Sequence, residues 1–199
     1  MRKLSILVST GLALSLSACS LSSLMGGGKP PTTLQTLTPE AADPGPMQRT
    51  VNAGQAVTVA TPTVPKELKT LRVPVAIGAT DIQYVTGLQW VDTPDKLFQN
   101  LLEETIRRTT GRVVLDSSQA TLDPGLVITG QLQKFGYDSG SGQVVVVYDA
   151  SLSTEGGSRV ETRRFVASEA ADGTGASVGY GLNRAANAVA LDVAKWVGG

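Results

Sequence analysis

Apolar and polar positions along the 199-residue chain fall into segments of two periods. Alternation every second residue marks strands, and recurrence every third or fourth marks helices. Residues 33–37, Thr-Leu-Gln-Thr-Leu, read as a short strand that Pro39, Pro44 and Pro46 terminate. Val57 and Val59 alternate with small residues across 56–61, and 71–77 places Leu71, Val73, Val75 and Ile77 on one face. Pro74 is predicted to point away from that face, making the segment an edge strand or a bulged one. Residues 81–89 continue as strand through Ile82, Tyr84 and Val85.

A helix is predicted to start at Thr93-Pro94-Asp95, with Thr at the N-cap, Pro at the first helical position and an acid in the first turn. Leu97, Phe98, Leu101, Leu102, Thr105 and Ile106 recur on one face, Arg107 and Arg108 suit the C-terminal end of the dipole, and Gly111 closes it. Short strand at 113–115 and longer strands at 126–134 and 144–153 follow. Asp138-Ser139-Gly140-Ser141-Gly142 gives the hairpin between the longer two. Val144, Val146, Tyr148, Ala150 and Leu152 share one face of the last of these, and Val145 and Val147 the other, as a central strand requires. A second tight turn at 155–158 leads into strand 159–167, extending an antiparallel meander.

After a polar loop at 170–175, Leu182, Ala186, Val189, Val193 and Trp196 or Val197 mark a second helix. Ala185, Ala188, Ala190 and Ala194 keep it slim enough to approach a sheet closely. Strands, helix, strands, helix predict an α+β fold: one largely antiparallel sheet with two helices packed on one face.

The N-terminus follows a different logic. Arg2 and Lys3 precede an apolar run over 4–16, the charged and hydrophobic regions of a secretory signal. At about a dozen residues it is shorter than the roughly 20 a membrane span needs. The run Leu16-Ser17-Ala18-Cys19 resembles the lipobox of bacterial lipoproteins, in which the cysteine thiol is diacylglycerylated, cleavage falls before the cysteine, and its amine is then acylated. The competing reading is a buried core cysteine. Acyl chains contribute roughly 0.8 kcal/mol per buried methylene, so three of them anchor a protein to one leaflet without spanning it. Ser20, where an Asp would favour inner-membrane retention, points to the periplasmic face of the outer membrane. Residues 1–18 are thus the expected signal peptide and 19–31 a lipidated tether. Gly26-Gly27-Gly28 and Pro30-Pro31 give the tether a reach of about 20 Å, and 32–199 form the folded domain.

Composition removes most enzymatic options. The chain has no His and one Cys, so it lacks a Ser-His or Cys-His nucleophile pair, a His-ligated metal and an internal disulfide. Lys+Arg and Asp+Glu balance at 17 each, and loss of Arg2 and Lys3 with the signal leaves 15 basic residues. That balance argues against a nucleic-acid partner. Glu103 and Glu104 point about 100° apart on the helix and read as a solvated face. Asp123-Pro124-Gly125 reads as a turn, and the Gly-x-Gly runs at 140–142 and 173–175 lack the context of a phosphate loop. No metal or cofactor is expected, apart from the covalent lipid on Cys19. Three aromatic residues stand out as partner contacts or core anchors: Trp90, Tyr84 and Tyr180. Tyr180 lies between Gly179 and Gly181 at a helix start, where it either binds an anion or lipid headgroup or caps the core.

Residues 82–92 (Ile-Gln-Tyr-Val-Thr-Gly-Leu-Gln-Trp-Val-Asp) lead into Leu97-Phe98-Gln99-Asn100-Leu101-Leu102. With 126–135, 147–152, Phe165 and the Ala-Ala-Asn run at 185–187, they resemble the ABC-type transport auxiliary lipoprotein family, the PqiC-like group, over about residues 32–197. Leu34-Gln35-Thr36-Leu37 departs from the Tyr-x-Leu of many members. The resemblance implies a non-enzymatic envelope subunit of a lipid transport system. Its implied partners are an MCE-domain protein and, indirectly, a permease and an ATPase; a homo-oligomer stays open. The alternative is an envelope-integrity or assembly lipoprotein scaffolding another outer-membrane machine.

Overall fold

The computed structural model describes residues 33–52, 54–116, 118–119, 125–154 and 158–198. Seven strands and two helices follow one another as β1 (Val57–Val59), β2 (Arg72–Ile77), β3 (Asp81–Gln89), α1 (Pro94–Thr109), β4 (Val114–Leu115), β5 (Leu126–Asp138), β6 (Gln143–Thr154), β7 (Arg159–Ala170) and α2 (Gly175–Gly198). This is the α+β arrangement expected.

Burial explains the two helices. Leu97, Phe98, Leu101, Leu102, Thr105 and Ile106 of α1 are all buried, at the spacing that places them on one stripe. Each large apolar side chain removed from water contributes about 1.5–3 kcal/mol, enough to outweigh the unremarkable propensity of Phe, Ile and Thr. Pro94 occupies N1 as predicted, but the Thr93 hydroxyl caps nothing. The backbone N–H of Thr93 donates to Asp92 Oδ1 at 2.7 Å instead. The helix ends at Thr110, which turns extended at φ −120° and ψ 164°, so the break comes before Gly111 rather than at it. In α2 the buried stripe includes Ala185, Ala186, Ala190 and Ala194, whose small side chains let the helix lie close on its neighbours.

Even-numbered residues of β6 face both helices. Tyr148 packs its ring against Phe98 of α1, centroids 5.0 Å apart and planes at 60°, and Val144 lies directly under Gly181 of α2. Val144, Val146, Tyr148, Ala150 and Leu152 are buried as the alternation predicted. β6 pairs antiparallel with β5 and β7 along nearly its whole length, which makes it central.

The other edge of β5 departs from the expected meander. β1 pairs parallel with it at Leu126–Ile128, Thr63 bridges parallel to Gln131, and β2 pairs parallel at Tyr137 and Asp138. Three pieces of one ascending segment thus share a single 13-residue strand. β4 adds parallel to β1, and β3 antiparallel to β2. The sheet is therefore mixed, with the long antiparallel ladders β5–β6–β7 dominating.

β2 is consequently not an edge strand, since β3 and β5 flank it. A register shift between Arg72 and Pro74 supplies the bulge that was the other expectation. The bulge also resets the alternation: Val73 and Pro74 are both buried, while Leu71 and Ile77 are exposed. The predicted strand at 33–37 shrinks to one bridge, Gln35 to Trp90. The lipobox residues Leu16, Ser17, Ala18 and Cys19 and the tether lie outside the described residues, as do Asp123, Pro124 and 155–157.

Candidate functional site

A strap across α2 is the least ordinary construction in the domain. The chain from 33 to 41 enters beside the end of β3, where the Gln35 amide donates to Gln89 O and the Val91 amide to Gln35 O, each at 2.8 Å. It then crosses α2 at two asparagines one helical turn apart. Asn183 Oδ1 accepts the Thr38 amide at 2.8 Å. Asn187 Oδ1 accepts the Glu40 amide at 2.8 Å, and its Nδ2 donates to Thr38 O at 2.9 Å. Side-chain amides here take the place of a neighbouring strand, satisfying an extended backbone against a helix. Arg108 of α1 secures the far end, donating to Ala41 O at 2.9 Å.

The glycines around Tyr180 serve this contact. A Cβ on Gly179 would collide with the Gln35 carboxamide, and one on Gly181 would stand 3.1 Å from Val144. Gly179 faces the strap and Gly181 the sheet, and Tyr180 points between them into solvent, 67% exposed. It therefore does not cap the core. Arg184, one turn along, reaches Glu169 at 3.4 Å, and the Tyr180 hydroxyl and Glu169 together hold its guanidinium above the ordinary range. Tyr180, Arg184 and Glu40 line one open groove beside α2.

The other two singled-out aromatics behave differently. Trp90 is fully buried, tilted against Phe135 with centroids 5.7 Å apart, and is a core anchor. Its indole N–H has no hydrogen-bond partner among the described residues. Tyr84 is half-buried on β3 beneath the Arg72 guanidinium, which sits 4.3 Å from the ring centroid. The structure brings none of the three together.

The helix-free face of the sheet presents a second surface. Lys134, Val147 and Val166 align across β5, β6 and β7, and Gln131, Asp149 and Arg164 form the neighbouring row. Val160 and Val166 are 61% and 60% exposed. β7 pairs only with β6, which leaves its outer edge without a ladder among the described residues. Arg159, Arg163 and Arg164 lie on that edge strand, where charge discourages indiscriminate strand addition.

The carboxylates stay apart. Glu104 pairs with both Arg107 and Arg108, and the Arg108 bond holds its carboxyl below the usual range. Glu103 accepts from Gln99 at 3.0 Å, and burial pushes its carboxyl up. Burial likewise pushes up the Tyr148 phenol, which has no partner among the described residues. Gly142, in the left-handed region at φ 66°, closes the β5–β6 hairpin, and Gly173 at φ 84° precedes α2. In these two loops the Gly140 and Ser141 amides donate to Asp138 Oδ1 and the Thr174 amide to Asp172 Oδ1. Among the described residues no group of three or more His, Cys, Asp or Glu could hold a metal, and no helix is long and apolar enough to cross a membrane.

Sequence reasoning missed the strap, although Asn187, a polar amide in the buried stripe of α2, and Asn183 one turn before it were available as a signal.

Comparison with known proteins supplies the context. Protein XCC0632 from Xanthomonas campestris, of the DUF330 family, superposes with a TM-score of 0.67 over 83% of this chain and 95% of its own, at 16% identity. A second solved structure, of an uncharacterized protein, superposes at 0.61 over 75% of this chain and 96% of its own, also at 16% identity. At such identities the likeness concerns the fold. No curated protein matches the sequence. The family model of the ABC-type transport auxiliary lipoprotein component matches residues 36–194, from the strap through both helices to the last turn of α2, and the chain belongs to that family.

Proposed function

We propose that this protein is a lipid-anchored, non-catalytic subunit of an ABC/MCE-type intermembrane lipid transport system, stationed on the periplasmic face of the outer membrane. The observation that carries the reading is the join between two parts of the chain. A lipobox ending at Cys19 stands a short tether ahead of a domain whose match to the family of transport auxiliary lipoproteins begins at residue 36. Acylation would fix the protein to one leaflet, and the tether would let the domain reach a partner. No nucleotide loop accompanies the fold among the described residues, so the ATPase of the system is a separate chain. The domain's contribution is then positional: it docks an MCE-domain protein through the free β7 edge, the helix-free face or the loops.

Affinity purification after crosslinking in intact cells tests this. Recovery of an MCE-domain protein supports the proposal. Recovery of none, with normal lipid asymmetry after deletion, overturns it. Recovery of a barrel-assembly or Tol-type machine supports the scaffolding alternative instead.

A further inference from the structure

Four arginines converge where the ends of both helices meet. Arg107 and Arg108 close α1, Arg112 follows it, and Arg49 approaches from the strap side; together they line an open cavity of about 300 Å³. Two of the four are neutralised only in part, sharing the single carboxylate of Glu104. Arg49 and Arg112 pair with no carboxylate among the described residues. Arg49 Nη1 donates to Arg112 O at 3.1 Å and Arg112 Nε to Val197 O at 2.9 Å. A bond to a carbonyl positions a guanidinium without cancelling its charge, and each of these keeps several of its five N–H donors.

Helix capping explains some of this charge but not all of it. The C-terminal ends of two helices amount to about −0.5 each. Glu104 and Asp43, both lining the cavity, add two negative charges. Of the two carboxylates that line the cavity only Glu104 is ion-paired with any of the four guanidiniums, which leaves Arg49 and Arg112 unpaired. Arg49 and Arg112 are half-buried; the bond to Arg112 O holds Arg49 at the cavity wall, and the bond from Arg112 Nε to Val197 O leaves both Arg112 Nη groups without a partner among the described residues.

We infer that this cavity binds a phosphate-bearing anion, with Arg49 and Arg112 as its principal ligands. Guanidinium forks match phosphate oxygens in pairs, and Arg49 and Arg112, paired with neither Asp43 nor Glu104 of the cavity wall, are the two forks left to bind one. The volume suits a phosphate with a small polar substituent rather than an acyl chain. The phosphate could come from a lipid headgroup or from a free phosphate, and the test separates the two sources. The inference is independent of the transport reading, since partner capture and anion binding fail separately.

The full chain, purified in a nonionic detergent, is titrated calorimetrically at low salt with inorganic phosphate and with dihexanoyl-phosphatidylglycerol below its micellar concentration. Binding is expected, and weakening by about tenfold or more in R49Q/R112Q, with Arg49→Lys intermediate because it keeps charge but loses the fork. Tighter binding of phosphatidylglycerol than of phosphate identifies the headgroup; phosphate binding alone identifies the free anion. Asp43→Asn is expected to tighten binding of either, a gain that misfolding cannot produce. The inference is overturned if neither anion binds, if R49Q/R112Q binds like the unaltered chain, or if the exposed control Lys69→Gln weakens binding as much.

Discussion

Asn187 holds the strap at Glu40: its Oδ1 accepts the Glu40 amide at 2.8 Å while its Nδ2 donates at 2.9 Å to Thr38 O and to Asn183 O. Asn187 is itself buried, 6% exposed, so the carboxamide makes these bonds away from competing water. The strap is also the part of the described chain nearest in sequence to Cys19. A pull from the N-terminal side would load the Gln35 bonds to Gln89 and Val91 first and these asparagine contacts next.

Asn187→Ala should therefore loosen the strap before it unfolds the protein. Removing one partner of buried hydrogen bonds costs about 1–3 kcal/mol, whereas Asn183→Ala, at the more exposed crossing, should cost less. Denaturant unfolding of the two variants checks the order. Hydrogen exchange of the Glu40 amide should accelerate in Asn187→Ala while core amides of β6 remain protected. Equal costs for both asparagines would mean that the clamp is not centred on Asn187.

The glycines offer a sharper test, because two close approaches differ in what stands in the way. A Cβ on Gly130 would meet Asp149 O of the neighbouring strand and the Tyr148 ring, whose Cε2 lies at 2.7 Å. A backbone carbonyl in a ladder and a buried ring cannot both yield. Gly130→Ala should cost about 1–3 kcal/mol as overpacking. The atoms nearest a Cβ on Gly179 all belong to the carboxamide of Gln35. That side chain can swing away, and Ala is better than Gly in a helix by up to about 1 kcal/mol. Gly179→Ala should thus be close to neutral, and the two melting temperatures should separate accordingly.

These contrasts mark what the sequence could convey. The buried stripe of α1 and the inward face of β6 were legible because burial alone dictates their periods, residue by residue from Leu97 to Ile106 and from Val144 to Leu152. Parallel pairing of β1 and β2 with β5 was not, since alternation records which face is wet and says nothing of a neighbour's direction. Pro74 signalled the bulge but not which residues it would bury, because a bulge shifts parity by one residue and the positions after it change face. The strap left no periodic trace, because Asn183 and Asn187 bond to backbone, and backbone has no residue identity to read. For the same reason Arg49 and Arg112 went unremarked, being 63 positions apart and joined only through a carbonyl.

Two carboxylates should shift stability with pH in opposite directions. Arg164 grips Asp149 through Nε at 2.6 Å and Nη2 at 2.7 Å, holding its carboxyl below the ordinary value. A carboxyl depressed on folding stabilises above its unfolded value, and that contribution disappears as pH falls through the folded one. Glu103 is the reverse: burial raises it, so its ionisation destabilises as pH climbs from the ordinary value of 4.5 through the folded one. Asp149→Asn should therefore lower the melting temperature at neutral pH, with the difference vanishing at acid pH. Glu103→Gln should raise it at neutral pH, and that gain too should vanish below about pH 4.5. Melting curves from pH 7 to pH 2.5 distinguish the signs.

Membrane attachment provides the most direct test of the proposed anchor. Among the described residues no helix is long and apolar enough to cross a bilayer, and the proposed anchor lies in the N-terminal segment. Two devices are available there, the apolar run 4–16 and acylation of Cys19. They predict different fates for Cys19→Ala. If acylation is the anchor, the variant cannot be lipidated and should vanish from the outer-membrane fraction. The uncleaved leader, at about a dozen apolar residues against the roughly 20 needed to span, would hold it weakly to the inner membrane or release it. If the leader alone attaches the protein, Cys19→Ala should fractionate as the unaltered chain does. Sucrose-gradient separation of the two membranes, with mass spectrometry of the N-terminal peptide, decides between them. An outer-membrane band that survives Cys19→Ala, or an N-terminal peptide whose Cys19 carries no acyl mass, would remove the lipid anchor from the proposed function and leave the family membership untouched.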